Sequence, residues 1–159
     1  MNLDQQLQNL INEAPNYGVP APIMEYGVAP VLKIFAQQLD YQHYFLRQTS
    51  EHNLVITILS NQKNLEEEKK VIYAFPSFDD AAQFPDSKID NPDIVAQSVS
   101  ICEILFQMFT MKEVDSIIFV DQPSNYQQSK EIYCYKLQSA IQENLKLLIN
   151  PNSPNSNLA

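Results

Sequence analysis

Two runs constrain this chain more than any other feature. Val71-Ile72-Tyr73-Ala74-Phe75 and Ile117-Ile118-Phe119-Val120 are apolar at every position and rich in β-branched and aromatic residues. Neither alternates, so each reads as a strand covered on both faces, with Ile117–Val120 interior to a sheet. Pro76 stops the first run, and Asp121-Gln122-Pro123 stops the second. Between them Ser77 offers an N-cap with Asp80 three residues on, and Ala81, Ala82 and Phe84 complete a short helix halted at Pro85. Pro85 to Asp93 is polar and proline-punctuated, hence a loop. Ile94 to Val99 reads as a strand. Ser100 with Glu103 makes a capping-box signature, and Ile101, Ile104, Leu105, Met108 and Phe109 follow at helical spacing. The block is strand, short helix, strand, long helix, strand.

This order resembles the N-terminal domain of the SseB family of bacterial proteins. The matching residues are Phe75 at a strand end, the short helix from Ser77 to Ala82, the strand and helix around Val99 to Leu105, and Val114 to Phe119 before a proline turn. Ser116 stands where that family favours glycine, and Asp121-Gln122-Pro123-Ser124 replaces an Asn-Pro-Gly turn. The resemblance implies a mixed sheet with helices and a protein-interaction role near a secretion or pilus-type machine. It implies no catalytic residue.

The flanks extend this core. Asn2 caps a helix to Ala14, with Gln5 at its third position and Leu3, Leu7, Leu10 and Ile11 as one apolar stripe. Pro30 opens a second helix that buries Val31, Leu32, Phe35 and Leu39. Tyr41 to Gln48 and Leu54 to Ser60 read as hairpin strands, and Leu54–Leu59, apolar on both parities, is placed inside the sheet. With Val71–Phe75 they form a three-stranded antiparallel meander. Asn61 to Lys70, carrying Glu66-Glu67-Glu68-Lys69-Lys70, reads as a solvated turn or frayed helix. Ser124 to Lys130 is a loop. Glu131 to Tyr135 pairs with Ile117–Val120, or else joins a helix that begins at Ser129. Leu137, Ala140, Ile141, Leu145 and Leu148 mark the C-terminal helix. Asn150 to Asn157 cannot bury apolar surface and reads as disordered. The expectation is therefore one α+β domain over 1–149, with a mixed or antiparallel β-sheet packed by helices and a tail over 150–159.

Charge and residue inventory exclude several function classes. A net charge of −9 opposes a nucleic-acid groove or an anionic membrane surface, both of which need clustered Lys and Arg. No run approaches the roughly 18 apolar residues of a membrane helix, and Met1-Asn2-Leu3-Asp4 has no secretory pattern, so the cytoplasm is expected. The two cysteines, Cys102 and Cys134, lack zinc or disulfide spacing and read as packing residues. His43 and His52 form no metal-ligand pattern. No cofactor is expected, and no serine elbow, phosphate loop or committed carboxylate pair points to catalysis.

What remains is recognition of another protein. Tyr17-Gly18-Val19-Pro20 recurs as Tyr26-Gly27-Val28-Ala29 among prolines, and Gly18 and Gly27 are the only glycines in the chain. Their use points to backbone angles a Cβ would obstruct. The stretch is either a paired turn packing its tyrosines on the domain or a rigid aromatic recognition loop. From Val71 to Met111 the only basic residue is Lys88, against Asp79, Asp80, Asp86, Asp90, Asp93 and Glu103. That shoulder is a solvated face or a dock for a basic partner. The reading is a non-enzymatic adaptor or regulatory subunit that contacts its partner through the Tyr17–Pro30 loop and the acidic flank. The alternatives are a small-molecule site or enzyme near His43, and a structural subunit of an obligate oligomer.

Overall fold

The computed structural model describes residues 1–61, 64–84 and 94–149. Asn2 caps α1 (Leu3–Glu13) through a reciprocal pair, its side chain accepting from Gln5 N at 2.9 Å while its own N–H donates to Gln5 Oε1 at 3.0 Å. A 3-10 turn (Ala14–Tyr17) follows and ends on Gly18 at φ 76°. The chain then winds through α2 (Ala21–Ile23), a π turn (Met24–Val28) and α3 (Ala29–Ala36). The remaining elements among the described residues are β1 (His43–Gln48), β2 (Thr57–Asn61), β3 (Asn64–Phe75), α4 (Phe78–Gln83), β4 (Val95–Ser100), α5 (Ile101–Thr110), β5 (Ser116–Gln122), β6 (Asn125–Tyr133) and α6 (Cys134–Ile149).

The sheet runs β4-β1-β3-β5-β6, with β2 paired to the first half of β3. Among the described residues only β3 and β5 are parallel, and every other neighbouring pair is antiparallel. That parallel pair requires a crossover, and α4, β4 and α5 supply it. Tyr44, Leu46, Ile72, Ala74, Ile117, Phe119 and Ile132 point into one core with α1, α3, α5 and α6. The opposite parity, including Phe75 and Val120, meets Ala81 and Phe84 on the α4 side. Both anchor strands are thus covered twice, as their unbroken apolar runs predict.

Four local expectations are corrected. Leu54–Leu59 does not lie inside the sheet: β2 begins at Thr57, and Ile56 and Ile58 are exposed. β1 pairs β3 directly, with Phe45 opposite Phe75, so the meander is not formed. The charged connector is neither turn nor frayed helix, because β3 starts at Asn64 and pairs Lys69 with Leu59 and Lys70 with Ile58. The glutamine-rich stretch is the first half of β6, and the strand expected over Glu131–Tyr135 stops at Tyr133, with Cys134 and Tyr135 opening α6 and no helix starting at Ser129. The expected loop over 85–93 and the tail over 150–159 lie outside the described residues.

The two glycines serve different ends. Gly18 takes the left-handed backbone angle expected of it, in open space. Gly27 is helical; there a Cβ would meet the Leu145 side chain of α6, which would have to shift, so the glycine makes room for that leucine and not for a special backbone angle. The two Tyr-Gly-Val copies are therefore not a paired turn. Gly18→Ala is expected to lower stability by about 1 kcal/mol through the left-handed angle alone, read as a shift in urea midpoint at unchanged slope.

Candidate functional site

The described residues place Tyr17 on α5, where its ring sits 5.5 Å from Phe106 at a tilt of 57°. Two local features fix it there. Gly18 turns the chain sharply, with Val19 N donating to Ala14 O at 3.0 Å, and the Tyr17 hydroxyl reaches back to Glu13 Oε2 at 3.4 Å. Tyr17 remains 54% exposed. With Val19 it walls a cleft of about 340 Å³ whose other side is Glu103, Phe106, Gln107, Phe109 and Thr110 of α5. That volume is near the lower end of the range that accepts a ligand or a few side chains, about 300–1,000 Å³. Partial burial first, then the Glu13 and Glu103 carboxylates, hold the Tyr17 phenol above its ordinary pKa, so it stays neutral.

Tyr26 does not share this cleft. It is 60% exposed, and its carbonyl accepts from Asn144 Nδ2 of α6 at 3.0 Å. Gly27 and Val28 are buried between α3 and α6 and offer no contact surface, which corrects their place in the recognition loop. Pro20 is exposed at the start of α2.

The acidic flank divides likewise. Asp79 is exposed, but Asp80 is only 5% exposed and is fully engaged. Its Oδ2 accepts from Ser77 Oγ at 2.9 Å and its Oδ1 accepts from Ser124 N at 2.8 Å. Asp80 is thus a fastening between α4 and the β5–β6 turn, not a docking carboxylate. Asp86, Asp90 and Asp93 lie outside the described residues.

Other chemistry is arranged for packing. Burial pushes the Cys102 and Cys134 thiols up to about 11, with Asp4 and Asp115 adding to it, so both keep their protons at neutral pH. A cleft of about 670 Å³ includes Lys69, Lys112, Tyr133, Tyr135 and Gln138. Beside it Lys69 pairs with Glu131 at 2.8 Å, and the Ser116 hydroxyl also donates to Glu131. Burial raises the Glu131 carboxyl, but Lys69 and Ser116 outweigh it and hold it below the usual range. His43 opens β1 and lines neither this cleft nor another of about 470 Å³, which His52 borders. Among the described residues no cluster of three or more His, Cys, Asp or Glu is placed to hold a metal ion. Nor is any helix among them long and apolar enough to cross a membrane.

Two buried polar residues escaped the sequence reading. Gln6 sits at 2% exposure, with its side-chain oxygen accepting from Cys102 N of α5 at 3.0 Å. It supplants the expected Ser100 cap, whose hydroxyl makes no bond to the helix. The clue was its position: Leu3, Gln6, Leu7 and Leu10 occupy one helical stripe, so an amide there had to be buried. Arg47, also 2% exposed, lies 4.7 Å from the Phe84 ring centre and 5.5 Å from that of Phe75. A cation inside an apolar strand run carries no such clue.

Comparison with known proteins finds no matching family model, no matching curated protein and no matching solved structure.

Proposed function

We propose that this chain is a non-enzymatic adaptor or regulatory subunit that grips another protein through the cleft between Tyr17 and α5. One observation supports it above the rest: Tyr17 is held outward on Phe106 by a left-handed turn, beside an apolar cleft. A half-exposed aromatic fixed in place before binding loses little entropy on contact, which is the property of interface anchors. The SseB-like element order carries the same proposal further, to a cytosolic bacterial complex at a secretion or pilus-type machine.

The test is capture of partners by the full chain in extracts of its native cell. Tyr17→Ala, which removes the wall, and Thr110→Arg, which blocks the exposed end of the cleft, are expected to lose the captured proteins. Tyr26→Ala is expected to retain them. Loss of the Tyr17–Phe106 ring contact costs about 0.5–1.5 kcal/mol, so melting temperatures stay within roughly 6 °C of the wild type. Identical capture by all four proteins sinks the proposal.

A further inference from the structure

We infer that the cleft between Tyr17 and α5 takes a partner segment that presents one large apolar side chain with a lysine or arginine beside it. This rests on the adaptor reading above and specifies its ligand. The wall residues divide by chemistry. Val19, Phe106, Phe109 and the Tyr17 ring give a hydrophobic seat, while Gln107 and Thr110 are the uncharged polar members. The only charged residue among them is Glu103, and Glu13 lies at the Tyr17 hydroxyl on the same side. Both carboxylates are close enough to act on the Tyr17 phenol. Neither forms an ion pair among the described residues, where Lys33 is held by Asp4 and Lys130 by Asp40 and Asp121.

An apolar seat rimmed by carboxylates selects by sign. An acidic segment would be repelled on approach, and a neutral one would gain only the hydrophobic contact. A cation beside the anchor reaches Glu103 or Glu13 and can also lie over the exposed face of Tyr17, where the ring quadrupole attracts it. Length narrows the choice further. From Glu103 to Thr110 the helix advances about 10 Å, so the seat holds two turns of a helix or three to four extended residues and not a folded domain face.

The experiment selects ligands from a displayed library of random peptides on the immobilised full-length chain, with counter-selection on Thr110→Arg. Recovered peptides are expected to carry Trp, Phe or Leu with Lys or Arg within three residues. Their affinity is expected to fall about tenfold in the Glu13→Gln, Glu103→Gln double variant and several-fold between about 50 and 300 mM salt. Circular dichroism of the variant shows whether its fold is retained. Peptides with an apolar anchor but no basic enrichment, or affinities that ignore the double variant, overturn this inference and leave the adaptor reading standing. Recovery of no peptide that Thr110→Arg rejects overturns both.

Discussion

Asp80→Ala is expected to lower the free energy of unfolding by about 3 kcal/mol, whereas Asp79→Ala is expected to change it by less than about 0.5 kcal/mol. The two residues are adjacent, identical in type and both in the first turn of α4, so their contributions to the helix dipole are similar. They differ in what the carboxylate holds. Asp80 takes the Ser124 N–H with one oxygen and the Ser77 hydroxyl with the other, and alanine leaves both donors without that partner. Ser124 has φ 63°, a left-handed angle that serine adopts at a cost, and the bond from its N–H helps to offset it. The strap therefore ties α4 to the β5–β6 turn across the aromatic cluster of Tyr73, Phe75, Phe84 and Tyr126, in which touching rings have their centres 4.7–6.1 Å apart. Urea denaturation of the two variants side by side reads the difference. Asp80→Ala as mild as Asp79→Ala would mean the carboxylate fastens nothing and returns it to the docking flank.

That pair shows where sequence reasoning reaches and where it stops. The Ser77–Asp80 spacing announces a helix start, and the helix is there. Nothing in the spacing says which of two aspartates meets a turn 44 residues away. The strongest signals come from elements with a buried face: the Asn2–Gln5 box with its leucine stripe, the periodicity of α5, and the unbroken apolar run of β5. Elements with little to bury give weak ones. Glu67-Glu68-Lys69-Lys70 lies in the part of β3 paired with β2, and solvated strands need no alternation. The same holds for Gln127-Gln128-Ser129 on the edge strand β6, where three consecutive side chains are exposed. For the cleft, the aromatic loop at Tyr17 is visible in the sequence because glycines and prolines mark it. Its opposite wall is not, because Phe109 reads as core spacing, nothing in the spacing marks Phe106, and only tertiary packing leaves a gap beside them.

Gln6→Leu is expected to cost about 3 kcal/mol, although leucine is the better match to an apolar stripe. The amide is the node of three elements. Its nitrogen donates to Met1 O at 3.1 Å and to Gln42 O at 3.0 Å, just ahead of β1, and its oxygen accepts from Cys102 N in the first turn of α5. Gln42 O keeps a second partner in Ile101 N at 2.9 Å, so losing the glutamine does not orphan it. Cys102 N has no such reserve. It is one of the amides that a helix start leaves unsatisfied, it is buried, and Ser100 does not cap it. The hydrophobic gain of leucine is small, because the glutamine methylenes already lie in the same place. Gln6→Glu separates the two halves of the interaction. Its carboxylate still accepts from Cys102 N but faces two carbonyl oxygens without a proton to give them, so burial and those oxygens raise its folded-state pKa. A raised carboxyl favours the fold below its unfolded pKa and loses that contribution as pH rises through the folded value. Relative to the wild type at each pH, Gln6→Glu is thus expected to be milder near pH 4 than at pH 7. Gln6→Leu, with nothing to titrate, is expected to show the same deficit at both. Equal deficits for the two variants at every pH would place the glutamine among packing residues and remove its hydrogen bonds from the account.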